Sequence, residues 1–142
     1  MATLNRFLCP ELLFDGNEFK QNACLEVSPE GSIVAIHERT HVKPEQAEIV
    51  PGLIMPGLIN AHCHIELSHM KGLIPKHTGL PQFLQQITAQ RSSITPETIR
   101  EAAINAMQAM QASGIVAVGD ICNTDLLSRL KHPLQVHHFV EC

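Results

Sequence analysis

Two histidines separated by a single residue, His62 and His64, end an apolar run that begins at Leu58. Because side chains alternate between the two faces of an extended strand, the two imidazoles are predicted to share one face. The opposite face is predicted to carry Ile59, Ala61, Cys63 and Ile65. Neutral imidazole is the commonest metal ligand among side chains, and two imidazoles on one face can chelate a divalent ion. The pattern therefore predicts part of a metal site; the alternative is a histidine pair that is hydrogen-bonded within a polar pocket.

Composition and charge exclude several classes of protein around this pair. The 142 residues are 44% hydrophobic and 17% charged, which is enough to bury a core. The net charge is -4 and the ten lysines and arginines are scattered, so nucleic acid is not an expected partner. No apolar run approaches the roughly 20 residues that span a bilayer, and neither a secretory leader nor a membrane partner is expected. Five cysteines without CxxC spacing favour reduced thiols and a cytoplasmic location.

The first 50 residues carry short segments typical of a small sheet. Strands are predicted over 6–14, 23–27 and 32–37, and turn-forming residues at 28–31 separate the last two. Two Pro-Gly pairs follow within residues 51–57, and each is a strong turn signal. They predict the passage from the sheet into a second structural unit, which begins with the histidine strand.

The region after the histidines is predicted to alternate helices and strands. The predicted elements are a helix beginning near Leu80, a helix from an N-cap at Thr95 to a stop at Ser113-Gly114, a strand over 115–121, a short helix over 124–130 and a strand over 134–140. Helices between apolar strands indicate a parallel α/β sheet. A flavodoxin-like domain is disfavoured, because no glycine-rich phosphate loop follows any of the strands.

Residues 56–64, read as PGLINAHCH, and residues 67–72, read as LSHMKG, resemble the start of an amidohydrolase-superfamily enzyme. The resemblance is to the branch that holds cytosine deaminases, guanine deaminases and chlorohydrolases, in which a proline-glycine turn leads into the HxH of the first barrel strand. It implies an α/β fold: the N-terminal part of a TIM-like (β/α)8 barrel, preceded by a small β-sandwich portion. Residues 1–55 would form the incomplete sandwich portion and residues 56–142 the first three barrel strands with their connecting helices.

A complete barrel needs roughly 250 residues, so the resemblance implies that this chain is an N-terminal fragment of a longer enzyme. Its unpaired strand edges would then require a partner, either the remainder of the barrel or a second copy of the chain. Alone, the chain is expected to be inactive.

The implied chemistry is metal-dependent hydrolysis of C-N bonds other than peptide bonds. His62 and His64 would be ligands of one divalent metal ion, Zn or Fe, whose activated water attacks the substrate. The expected substrate is a small molecule, an aminated N-heterocycle or nucleoside that loses ammonia. The catalytic acid and base are not assigned, since the resemblance implies that they lie in later strands.

Three residues after the histidines are predicted to bind substrate. Glu66 and Ser68 continue the alternation of His64 if the strand extends, and His69 lies in the loop that follows. Asp120, at the end of the second predicted strand, either joins the same edge or caps a neighbouring segment. A second hypothesis is a non-catalytic metal-binding or interaction module that retains the HxH pair.

Overall fold

A computed structural model describes residues 4–91 and 94–141 of the chain. They form two compact units, which divide between Pro56 and Gly57. The fold is mixed α/β, with one sheet in each unit. Within the described residues, no helix is long and apolar enough to cross a membrane.

The first unit is a five-stranded sheet built around its first strand. The strands are β1 (Arg6–Phe14), β2 (Phe19–Lys20), β3 (Ala23–Val27), β4 (Ile33–Glu38) and β5 (Ala47–Ile54). Strand β1 pairs antiparallel with β2 and β3 and parallel with β5, and β3 pairs antiparallel with β4. The predictions of β1, β3 and β4 are confirmed, whereas β2 and β5 were not predicted. Gly31, with a φ of 88°, closes the predicted turn between β3 and β4.

Strand β5 contains a Pro-Gly pair that does not form a turn. Pro51 and Gly52 lie inside the strand, where Gly52 has a φ of 86°. The register with β1 shifts there: Val50 lies opposite Pro10, whereas Leu53 lies opposite Leu12. The prediction of a turn at Pro51-Gly52 was wrong, because the pair forms a bulge within the parallel ladder instead of ending the strand.

The sheet of the first unit contains a disulfide between Cys9 and Cys24. Strands β1 and β3 are antiparallel neighbours, and the register that places Leu8 opposite Leu25 also brings the two cysteines together. Their Cα atoms are 4.2 Å apart. The prediction of reduced thiols was therefore wrong for this pair. Sequence spacing could not reveal it, because the strands bring together residues that are 15 positions apart.

The second unit is a three-stranded parallel sheet with one helix, α2, packed against one face. Its elements are β6 (Leu58–Cys63), a 3-10 helix (Ile65–Met70), α1 (Leu80–Arg91), α2 (Pro96–Ala112), β7 (Ile115–Cys122) and β8 (Gln135–Val140). The strand order is β6-β7-β8, so the predicted parallel sheet is confirmed. The side chain of Thr95 accepts a hydrogen bond from the Thr98 N–H, as predicted for an N-cap.

The short helix predicted over 124–130 is wrong. The backbone makes isolated turns there, with hydrogen bonds from Ser128 N to Asp125 O and from Leu130 N to Leu127 O. The Ser128 hydroxyl also donates to Asp125 O, a local bond that competes with helical pairing. Leu127 lies in the core and anchors the segment against the sheet.

The core of the second unit lies between α2 and the sheet. Its buried members are Ile65, Ala103, Met107, Val118, Leu127 and Leu134. Large apolar side chains at β6 and β8 remain exposed, with Ile59 at 69% and Phe139 at 49% of full exposure. The sheet is therefore covered on its α2 side only, within the residues that the structure describes.

Candidate metal centre

His62 and His64 lie where β6 ends and the 3-10 helix begins. Their rings are neighbours, with centroids 5.3 Å apart and planes 85° from parallel. Both side chains are exposed. In the described part of the chain, no protein hydrogen bond engages their ring nitrogens, in contrast to His69 and His138. The two imidazoles are therefore available to a ligand, which fits a metal ion that takes neutral ring nitrogens.

Strand β6 is not regular, and this changes which residues share a face with the histidines. Asn60 lies opposite Val118 and Cys63 opposite Asp120, so two β6 residues face one β7 residue between these pairs. Two residues opposite one residue of the neighbouring strand define a β-bulge. Regular alternation from Leu58 to His64 was therefore a wrong prediction.

The side of the sheet away from α2 is called the open face here; Ile59, Ala61, Gly119, His137 and Phe139 line a groove on it. Cys63 packs instead against the core on the α2 side. Because side chains alternate about Cys63, both neighbouring histidines lie on the open-face side. Ile59 and Ala61 thus share the side of the histidines, which corrects the prediction that they oppose them.

Asp120 fixes the backbone immediately after His64. Its side chain is fully buried, and its Oδ1 accepts the Ile65 N–H at 2.7 Å. Its Oδ2 lies 2.9 Å from Nδ1 of His138, the residue opposite it on β8. The carboxylate thus caps the 3-10 helix that follows β6 and links this helix to β7 and β8.

Glu66 and His69 lie together, whereas Ser68 lies apart from them. Both border a cavity of about 580 Å³ that also reaches Thr124. The Glu66 carboxylate accepts hydrogen bonds from Asn123 N and Thr124 Oγ1, each at 3.1 Å. Ser68 borders a separate groove against α2. The premise that the strand extends through these residues was wrong, because a 3-10 helix begins at Ile65.

His69 has one hydrogen-bonded ring nitrogen and one without a partner. Its Nδ1 lies 2.9 Å from the carbonyl oxygen of Glu66. Its buried Nε2 has no hydrogen-bond partner within the described residues. Substrate binding by Glu66, Ser68 and His69 stays a prediction.

Asp120, Cys122 and His138 form a cluster whose potential ligand atoms lie within 4.8 Å of one another. Asp120 and His138 hydrogen-bond to each other, and the Cys122 thiol points to Phe139 O at 3.8 Å. Burial raises the pKa of the Cys122 thiol, and the carboxylates of Asp120 and Glu66 raise it further. Metal binding requires the thiolate, which this environment disfavours. The cluster is best described as a buried hydrogen-bonded network.

The thiol of Cys122 is expected to be nearly inert in the folded protein. Because folding raises its pKa, the proton is held more tightly in the folded state, and stability falls as pH rises above the ordinary thiol value of about 8.5. Alkylation by iodoacetamide at about pH 8.5 should label Cys122 much faster in urea-unfolded protein than in folded protein, as measured by peptide mass mapping. Equal labelling rates in the two states would contradict this environment.

Cys63 has a similar environment on the neighbouring strand. Burial raises the pKa of its thiol to about 11, and the Asp120 carboxylate adds to the shift. The thiol therefore stays protonated near neutral pH, although it lies between the two histidines. This agrees with the prediction that Cys63 is turned away from them.

The first strand of the parallel sheet thus ends at an exposed pair of neighbouring histidines. The sequence of residues 53–138 matches the amidohydrolase family. The chain therefore belongs to the amidohydrolase family.

Individual proteins are similar to this chain in sequence or in fold. A 5-methylthioadenosine/S-adenosylhomocysteine deaminase from Natronomonas pharaonis is 33% identical over 70 residues, which cover 49% of this chain and 16% of that protein. The aminofutalosine deaminase of Helicobacter pylori, solved with methylthio-coformycin, superposes with a TM-score of 0.72 at 24% identity, over 95% of this chain and 35% of that one.

A variant of atrazine chlorohydrolase from Arthrobacter aurescens TC1, solved with zinc and atraton, superposes with a TM-score of 0.69 at 20% identity. The match covers 93% of this chain and 34% of the chlorohydrolase chain. At such identities the structural matches show the shared fold. The chain spans about a third of the length of these two solved proteins. Its match to the Natronomonas pharaonis deaminase covers 16% of that protein.

Proposed function

We propose that this chain is the N-terminal part of a metal-dependent hydrolase that removes the amino group from an aminated N-heterocycle or nucleoside. The observation that carries the proposal is the pair of neighbouring imidazoles, His62 and His64, on the open-face side at the carboxyl end of a parallel strand. Active sites of (β/α)8 enzymes are built at this end of the strands. The deaminases among the sequence relatives support the reaction class.

His62 and His64 are proposed as two ligands of one divalent metal ion, Zn or Fe. When bound, such an ion supplies a nucleophile at neutral pH by lowering the pKa of its water. The bulge of β6 and the Asp120 carboxylate position the backbone on either side of the two histidines. The departing ammonia requires an acid and a base for proton transfer. We assign these roles to residues outside this chain.

Glu66, Ser68 and His69 are proposed to contribute to substrate binding. Glu66 and His69 border one cavity, where a carboxylate and an imidazole can hydrogen-bond hydroxyl or amino groups of a small molecule. Ser68 lies on the other side of the same 3-10 helix and would act through the position of that helix. The proposed partner is a small-molecule substrate.

The three parallel strands are proposed as the beginning of a (β/α)8 barrel, with residues 1–55 as the start of a composite β-sandwich. The exposed apolar side chains of Ile59 and Phe139 support this, since they would face the interior of a completed barrel. The remaining strands, or a second copy of the chain, would then cover the unpaired edges.

The proposal is tested by ammonia release from the complete protein. Candidate substrates are adenosine-type nucleosides with sulfur substituents, aminofutalosine, guanine and cytosine. We expect release from one of these classes that chelation abolishes and divalent metal restores. A protein that binds metal and releases no ammonia from any aminated heterocycle would contradict the proposal and favour a non-catalytic module.

A further inference from the structure

The direction of His62 depends on the bulge in β6. The side chain of Asn60 faces α2, with its Nδ2 3.7 Å from Sδ of Met110. In a regular strand, His62 and His64 would share the face of Asn60 and point at α2. The bulge places one extra residue between Asn60 and Cys63. The side chains after the bulge therefore point to the opposite faces from those of a regular strand, and the histidines lie on the open-face side.

A single residue of β7, Gly119, lies opposite the bulge. A Cβ atom at this position would lie 2.6 Å from the carbonyl oxygen of Ala61 and 3.2 Å from its carbonyl carbon. It would also lie 3.4 Å from the ring of Phe139. Because the close atoms of Ala61 belong to the backbone, any side chain at Gly119 must displace the bulge itself.

We propose that Gly119 is a positioning residue for the metal site, because it leaves the space that the bulge carrying His62 requires. The inference rests on the proposed function, since it concerns the ligands of the proposed metal. The role of Gly119 is steric, since its backbone dihedrals lie outside the left-handed region that favours glycine. Gly119→Ala should push the Ala61 carbonyl away and turn the His62 imidazole from its orientation beside His64.

The experiment measures Co²⁺ binding to the complete protein through the visible absorption of the bound ion. Gly119→Ala should bind Co²⁺ about 10–100-fold more weakly than wild type, the cost typical of losing support around a ligand. The absorption bands should also change. These readouts follow the geometry around the ion and do not depend on turnover.

Gly57→Ala is the matched control, a glycine at the other end of the same strand pair. A Cβ there would meet the side chain of Val116, the nearest atom at 2.2 Å, rather than backbone. The Val116 side chain is 50% exposed, and its Cβ also lies 3.0 Å away, so relief of this contact requires a shift of Val116 and leaves the Ala61 backbone untouched. The control should keep wild-type Co²⁺ affinity even if it lowers the free energy of unfolding.

Deletion of Ala61 in the Gly119→Ala background supplies a second variant. The deletion removes the opposing carbonyl and leaves one residue opposite position 119, so it should restore folding and Co²⁺ affinity toward wild type. Folded Gly119→Ala with wild-type affinity and bands would overturn the inference. So would a failure of the deletion to restore binding when Gly119→Ala does not fold. Absence of Co²⁺ binding by wild type would contradict the proposed function itself. Co²⁺ binding by wild type and equally by folded Gly119→Ala would contradict only the role of Gly119.

Discussion

Replacing Asp120 with alanine is expected to lower the free energy of unfolding by about 2–4 kcal/mol, since a buried donor that loses its acceptor costs about 1–3 kcal/mol. The Asp120 side chain is fully buried and accepts both the Ile65 N–H and a hydrogen bond from Nδ1 of His138. The truncation leaves these two donors without a partner and a cavity between β7 and β8. The Ile65 N–H stays desolvated after the truncation, which makes its loss of an acceptor costly, whereas the His138 side chain is 22% exposed.

Urea denaturation of the complete protein, followed by circular dichroism, measures this effect. Asp120→Asn should cost less, because its amide oxygen can still accept the Ile65 N–H. Glu97→Gln is the control: Glu97 is an exposed partner of Arg100 at 3.9 Å and should change stability by less than about 0.5 kcal/mol. A loss below about 1 kcal/mol for Asp120→Ala would contradict the network described around this carboxylate.

Much of the architecture followed from local patterns. The apolar runs that became β1, β7 and β8 and the Thr95 cap of α2 depend on neighbouring residues, so periodicity and capping rules sufficed to predict them. The parallel order of β6, β7 and β8 followed from the alternation of strands and helices. Adjacency of His62 and His64 was likewise predicted from spacing, and their rings are neighbours.

The predictions that failed depend on contacts between distant residues. The bulge in β6 is defined by its register with β7, so alternation counted along β6 alone placed Ala61 on the wrong side. Asp120 caps a segment 55 residues earlier in the chain, a contact that exists only once the parallel sheet forms. The Cys9–Cys24 disulfide likewise requires the pairing of β1 and β3.

One signal for the role of Asp120 was present in the sequence. Asp120 is a charged residue inside an otherwise apolar strand, and such residues are rarely buried without a partner. Its alternation with Val118 and Cys122 predicts that it faces the core, where a carboxylate needs hydrogen-bond donors. The identity of those donors, Ile65 N–H and His138, required the register of the sheet.

Replacing both His62 and His64 with alanine is expected to abolish specific metal binding. Loss of a single supporting group around a metal ligand weakens affinity by about 10–100-fold, so loss of two ligands should exceed about 100-fold. The substitutions should have little effect on folding, because both imidazoles are exposed and contact each other rather than the core. His41→Ala is the matched control, since His41 is an exposed histidine of the first unit.

The metal content of the complete protein, measured by inductively coupled plasma mass spectrometry after dialysis, tests the role of His62 and His64 most directly. We predict one divalent ion per chain in wild type and in His41→Ala, and its loss from the folded double variant. Equal metal content in wild type and in the His62→Ala, His64→Ala variant would contradict the assignment of these two histidines as ligands.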